Sequence, residues 1–277
     1  MNMPGESSDL SRQLYVNARR VLLDALEALQ GQHDAIILVG AQAIYQYTGQ
    51  AKVAVAEFTT DADLVLDPSA LNESPEIAAA MQSKGFTRDL QQPGVWWSPR
   101  DHVEVDLMVH AALAGPGTRA ARLPGHEERA ARRAQGLEVA LVDKQQQTIT
   151  ALDPTDARSF QVQVAGPAAL LIAKLYKIWE RRNTPSRLDA KDASDVYRLL
   201  QAIPSLVFVR GLQTLTANSR SSEVTQNGLT YLANLFASPD SLGSRLAAEA
   251  LVPLEDYDQV AASCADLADQ ILRSVQP

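Results

Sequence analysis

The stretch "TTDADLVLDP" at residues 59–68 constrains this chain more than any other, because it sets two carboxylates one residue apart in a segment that otherwise belongs in a buried strand. Strand side chains alternate between faces, so Asp61 and Asp63 share one face roughly 7 Å apart, while Ala62, Leu64 and Leu66 take the other. A second segment, "HVEVDLMVH" at residues 102–110, repeats the arrangement: Val103, Val105, Leu107 and Val109 point one way, Glu104 and Asp106 the other. If the two strands are neighbours, Asp61, Asp63 and Asp106 converge. Carboxylates held that close raise one another's pKa and repel unless a cation neutralises them. Hard oxygen donors suit Mg²⁺ or Mn²⁺, which keep open positions for substrate phosphates. The pattern points to metal-dependent phosphoryl transfer with two ions. A second Asp-x-Asp run, "EDYD" at 255–258, reads differently, since acids at that place favour the start of the helix that follows.

With 277 residues, 46% of them apolar, the chain can bury one large core or two modest ones. A net charge of −8 excludes a protein that coats nucleic acid through bulk electrostatics, and leaves room only for a local basic surface. The single cysteine, Cys264, rules out an intrachain disulfide and a cysteine-based zinc cluster, which fits a reducing compartment. The opening "MNMPGESSDLSRQ" lacks the basic and apolar regions of a signal peptide, and "AIILVGAQAIY" and "VAGPAALLIA" are too short to span a membrane. A cytoplasmic protein without membrane contact is expected.

Apolar residues at helical spacing predict an opening helix over 12–30. A short strand, "AIILV", then stops at Gly40, and "AQAIYQYTG" forms a helix closed by Gly49. The two acidic strands follow, separated by a helix near "SPEIAAAMQSKG" and a turn, "QQPGVWWSPRD". An arginine-rich stretch leads to three strand-like segments, "LEVALVD", "QTITALD" and "FQVQVAG". From Pro167 the periodicity is helical, interrupted near "NTPSR", "AIPS", "NSRSS", "ASPDS" and "LVPLED". The fold class is therefore α/β (α+β): a mixed sheet with flanking helices in residues 1–115, a bridge over 116–165, and a helical bundle over 166–277.

Three further features accompany the carboxylates. Gly40, between strand and helix, allows an anion close to backbone N–H groups at a helix N-terminus. In "GPAALLIAKLYKIWERR", Lys174, Lys177 and Arg181 lie along one helix face beside the apolar stripe rather than opposite it. In "RLDAKDASDVYRLL", Asp192 and Asp195 share the stripe of Leu188 and Leu199, and Lys174 is their obvious partner, as a site or as a plain interhelical salt bridge.

The order "LVGAQA", "TTDADL", "VEVDLMV", "AKLYKIWER", "KDASDVYRLL", over roughly residues 35–200, resembles the AbiEii/MenT group of nucleotidyltransferase-fold toxins within the DNA polymerase β-like superfamily. The resemblance implies that the Gly40-Ala41 turn holds a nucleoside triphosphate and that Asp61, Asp63 and Asp106 bind Mg²⁺ or Mn²⁺. It implies further that Lys174, Lys177 and Arg181 meet the nucleotide, that Asp192 orients Lys174, and that Asp195 and Lys191 support them. Ala41 stands where a serine or second glycine is usual, and Glu57 where related sequences often carry arginine. The implied reaction moves a nucleoside monophosphate to an acceptor hydroxyl, an RNA end such as that of tRNA, as the toxin of a toxin–antitoxin pair with an antitoxin protein as partner. Arg119, Arg122, Arg129, Arg132 and Arg133 offer a local basic surface for tRNA, or else only a solvated helix. A small-molecule or protein hydroxyl, and a catalytically silent binding module, are the alternatives.

Overall fold

A computed structural model describes residues 4–49, 59–184, 186, 188–252 and 254–275, with the backbone alone for 4–11. Glu57 lies outside the described residues. The chain divides into two compact units, one made of Met1–Ala43, Ala56–Gln135 and Lys144–Val164, the other of Ile44–Val55, Gly136–Asp143 and Ala165–Pro277.

The first unit is built on one sheet. Its strands are β1 (Ile36–Val39), β2 (Asp61–Leu66), β3 (Thr87–Arg88), β4 (Val95–Trp97), β5 (Glu104–His110), β6 (Arg132–Ala134), β7 (Lys144–Thr150) and β8 (Ser159–Ala165). Their spatial order is β3-β4-β5-β2-β1-β8-β7, and β6 also pairs with β5. Ile36–Val39 is buried throughout, as its unbroken apolar run requires of a central strand flanked on both sides. Helix α1 (Pro4–Ala28) starts earlier than its periodicity indicated and buries Ala18, Val21, Leu22, Ala25 and Leu26. Helix α2 (Gly40–Thr48) follows β1 without a linker. Helix α3 (Ile77–Ser83) begins where the Glu76 carboxylate accepts a bond from the Ala79 N–H at 2.8 Å.

Two expectations are corrected. The segment "QQPGVWWSPRD" is not only a turn: Val95–Trp97 is strand β4, and Trp96 is fully buried with Nε1 donating to the Ala130 carbonyl at 2.9 Å. Flanking Pro and Gly masked a strand that a buried aromatic holds. "LEVALVD" is not a strand. Its backbone closes on itself, Ala140 N–H to Leu137 O at 3.1 Å and Asp143 N–H to Val139 O at 2.9 Å, giving a 3-10 turn over Glu138–Leu141. The other two segments form β7 and β8.

The second unit contains α4 (Pro167–Arg181), α5 (Ala190–Ala202), α6 (Ser205–Ala217), α7 (Ser222–Phe236), α8 (Leu242–Leu251) and α9 (Tyr257–Val275). The five interruptions read from the sequence fall between these helices. At α9, Asp256 accepts from the Gln259 N–H at 2.9 Å and Asp258 lies in the first turn, so "EDYD" does start a helix. Cys264 is buried, and burial pushes its thiol up to about 12. Among the described residues no helix is long and apolar enough to cross a membrane.

Helix α4 has Gly166 before it, which offers no capping side chain. Asp143 supplies one from outside the helix: its Oδ2 accepts from the Ala169 N–H at 3.0 Å. The carboxylate fills the space a side chain on Gly166 would need, since an added Cβ would stand 2.0 Å from Asp143 Oδ1. Burial raises the Asp143 pKa, and bonds from Ala169 and Ala168 oppose that rise. Asp143→Ala is expected to lower unfolding stability by about 0.5–2 kcal/mol in a urea titration, with Asp143→Asn retaining part of it.

Candidate active site

In the first unit β2 and β5 are parallel neighbours, with Asp61 opposite Glu104 and Asp63 opposite Asp106. Residues paired across a ladder share a face, so four carboxylates stand side by side on one side of the sheet, and Val39 of β1, opposite Asp63, continues the row. Asp106 is 6% exposed, whereas Asp61 and Asp63 are half-buried. The buried Thr59 hydroxyl donates to Asp61 Oδ1 at 2.5 Å. The Asp61 carbonyl accepts from Gln42 Nε2 at 2.9 Å. Gln42, buried on α2, also donates to the Ala18 carbonyl at 3.1 Å and accepts from Arg19 Nε at 2.9 Å. One amide thus ties α1, α2 and the first aspartate together.

Gly40 is set by two requirements at once. Its φ is +69°, and an added Cβ would stand 1.9 Å from Asp63 Oδ2. The Asp63 carboxylate therefore lies against the first residue of α2, where the helix dipole favours negative charge. Ala41, beside it, is buried.

Arg132, on β6, closes the row. Its Nε donates to Asp106 Oδ1 at 2.8 Å and to Oδ2 at 2.9 Å, and Nη2 donates to Oδ2 at 2.5 Å. Burial would lower the Arg132 pKa, but Asp106, then Asp63 and Glu104, raise it instead. Glu104 has no such partner among the described residues: burial, then Asp106 and Asp61, push its pKa up, and Arg132 offsets this only in part.

Asp61 and Asp63 fit a divalent cation by donor chemistry, hard carboxylates on a half-buried sheet face. Asp106 is turned to Arg132, a cation that the chain itself brings. Among the described residues no group of three or more His, Cys, Asp or Glu side chains stands arranged to hold a metal ion.

The second unit holds a separate charge cluster. Asp189 caps α5 by accepting from the Lys191 N–H at 2.9 Å, which sets Asp192 and Asp195 one turn apart on the buried face. Lys174 Nζ on α4 lies 2.8 Å from Asp192 Oδ1 and 2.7 Å from Asp195 Oδ2. Lys177 reaches Asp192 at 3.0 Å, Arg181 at 3.4 Å, and Lys191 reaches Asp195 at 3.6 Å. Burial alone would depress the Lys174 pKa, yet Asp192 and Asp195 hold it well above its ordinary value. Burial would raise Asp192, and Lys174 and Lys177 drive it far below its ordinary value.

Four of the five arginines read as a tRNA surface are engaged by the chain itself. Arg132 grips Asp106, Arg122 pairs with Glu128 at 3.1 Å, Arg129 donates to the Leu90 carbonyl at 2.9 Å, and Arg133 donates to the Ala111 carbonyl at 2.7 Å. Arg119 is exposed. Nor do residues 119–133 form the solvated helix considered above; 119–131 carry no helix and lead into β6, which holds Arg132 and Arg133. Thr59, Gln42 and Glu104 escaped the sequence reading as site residues. Glu104 was visible in principle, since it alternates with Asp106; Gln42 and Arg132 become visible only through partners far along the chain.

A strand-borne Asp-x-Asp, a third carboxylate in register on the next strand, and a glycine opening a helix beside them thus share one sheet face. The model of a nucleotidyltransferase family matches residues 18–208, more than half of the chain, and the protein belongs to that family. It is a nucleotidyltransferase, an enzyme class that uses a nucleoside triphosphate and a divalent metal. No curated protein and no solved structure matches the chain.

Two outcomes follow from the electrostatics. Lys174→Ala leaves Asp192 and Asp195 buried without their nearest cation and is expected to cost about 3–5 kcal/mol in urea unfolding. Glu104, with its folded pKa raised, binds its proton more tightly in the folded than in the unfolded chain, so its contribution to stability is lost as pH rises through the folded value. Glu104→Gln is expected to raise the melting temperature relative to the parent at neutral pH without metal, and to give no gain below the ordinary glutamate range. Melts at both pH values check it.

Proposed function

We propose that the protein transfers a nucleoside monophosphate from a nucleoside triphosphate to an acceptor hydroxyl at the carboxylate row of the first unit. The observation that supports this best is the register of β2 and β5, which places Asp63 beside Asp106 and Asp61 beside Glu104 on one face. Asp61 and Asp63 would hold Mg²⁺ or Mn²⁺; when bound, the ion supplies positive charge to the triphosphate and to the departing oxygen. The acceptor oxygen forms a bond to the α-phosphorus, the bond from that phosphorus to the oxygen bridging to the β-phosphate breaks, and pyrophosphate leaves in line. Asp106, fixed by Arg132, orients the acceptor hydroxyl, whose proton passes to water. Gly40 lets Asp63 sit against the start of α2, which fixes its direction.

In the second unit, Lys177, Arg181 and Lys191 join Lys174 around Asp192 and Asp195, so that four cations face two acids. We assign to this cation excess an affinity for phosphate groups, with Asp192 and Asp195 as the support that holds Lys174. The acceptor that the resemblance implies is an RNA end, in a toxin opposed by an antitoxin. The arginine segment lends that acceptor little, because most of its guanidinium groups are already bonded within the chain.

The test is transfer of α-labelled nucleotide, each base in turn, with Mg²⁺ or Mn²⁺, to total tRNA, to protein and to a small-molecule extract. Label is expected on RNA ends; label on protein or small molecules alone replaces RNA as the acceptor, and no transfer to any of them overturns the reading. Asp61→Asn and Asp63→Asn are each expected to lose more than the about 10–100-fold typical of an outer-shell partner.

A further inference from the structure

Arg132 is better fixed than a surface arginine and belongs to the sheet. It pairs with Met108 in the parallel register of β5 and β6, and it bridges Ala120 on its other side. Gly94 makes room for it: the Gly94 φ is +80°, and a Cβ there would stand 2.5 Å from the Arg132 backbone nitrogen and 2.5 Å from the Leu107 carbonyl. Any other residue at 94 would push β6 away from the carboxylates. The guanidinium then meets both oxygens of Asp106 and rests on Met108 Sδ at 3.1 Å. The Asp106 side chain is 9% exposed, so parting the two would leave a desolvated carboxylate without its counter-charge. A guanidinium is never deprotonated in a protein, so this positive charge is permanent.

Building on the metal-dependent reading above, we propose that Arg132 is the resident cation of the third carboxylate: it stays on Asp106, and the site takes one divalent ion, on Asp61 and Asp63, instead of two. Its fork engages both Asp106 oxygens, which a metal on that side would need as ligands. Arg132 is thus a positioning residue that sets the number of metal ions. It supplies from the chain a positive charge beside the acceptor hydroxyl, where a two-ion site would place its second metal.

The experiment counts metal directly, without turnover. The intact chain is titrated with Mn²⁺ in the presence of a nucleoside triphosphate analogue whose α–β bridge is methylene, and bound ion is read from loss of the free Mn²⁺ electron paramagnetic resonance signal. The expected result is one Mn²⁺ per chain beyond that carried by free analogue, one in Arg132→Lys, and two in Arg132→Met. Should Arg132→Met fail to fold, Asp106→Asn in the parent decides: Mn²⁺ affinity within about twofold of the parent supports the proposal, and a tenfold loss overturns it, while Asp63→Asn must lose the ion. Two ions on the parent, or one on folded Arg132→Met, overturns the proposal and leaves nucleotidyl transfer standing. A parent that takes no Mn²⁺ removes the metal-dependent reading and this proposal with it.

Discussion

The first unit depends on a like-charge problem that its own strand pairing creates. Neighbouring strands lie about 4.8 Å apart, so the register that puts Asp61 opposite Glu104 and Asp63 opposite Asp106 sets acid against acid twice in succession. Each side chain meets this differently. Asp61 takes a hydroxyl from Thr59, Asp63 lies against the start of α2, Asp106 takes the guanidinium of Arg132, and Glu104 retains a raised pKa. The residues that look ancillary, Gly40, Gly94 and Gln42, make these answers possible by clearing space or fixing backbone. Acids concentrated on a sheet at a cost in stability point to a functional use, and the cation of the proposed reaction is the use that fits them.

The second unit handles buried charge by a different geometry. Strand register places like charges side by side, whereas helix periodicity lets α5 present Asp192 and Asp195 one turn apart, with Lys174 of α4 between them. Removing three ionised groups from water is costly, and the short bonds from one ammonium to two carboxylates offset that cost only while all three remain. Lys177, Arg181 and Lys191 then bring three positive charges to a cluster that lacks only one for its own balance.

The legible parts of this molecule were those written at short range. Period-two alternation placed Asp61, Asp63, Glu104 and Asp106 on strand faces, and the spacing of Lys174, Asp192 and Asp195 beside apolar residues gave their pairing, because each pattern needs only its own strand or helix. The helix breaks were marked by Pro, Gly, Ser and Asn. Strand β4 was hidden, since the Pro and Gly around Val95–Trp97 signal a turn while the burial of Trp96 depends on residues far away. "LEVALVD" misled for the converse reason: it alternates like a strand but its backbone bonds close locally. Arg132 was misread as part of a basic surface because composition counts charges and says nothing of which carboxylate a parallel pairing 26 residues away will bring.

That misreading bears on how a protein of net charge −8 can receive a polyanion. A run of arginines suggests a broad electrostatic surface, yet Arg122, Arg129, Arg132 and Arg133 all satisfy acids or carbonyls of their own chain. Bulk attraction is therefore weak, and under the function proposed above phosphate is met by charge in a fixed position, a cation placed on Asp61 and Asp63. Fixed charges act over short distances and select by geometry rather than by accumulated field. A triphosphate suits such contacts, being compact and densely charged. A long nucleic acid needs many neutralised phosphates for comparable affinity, so an RNA acceptor here would have to be recognised through its end more than along its backbone.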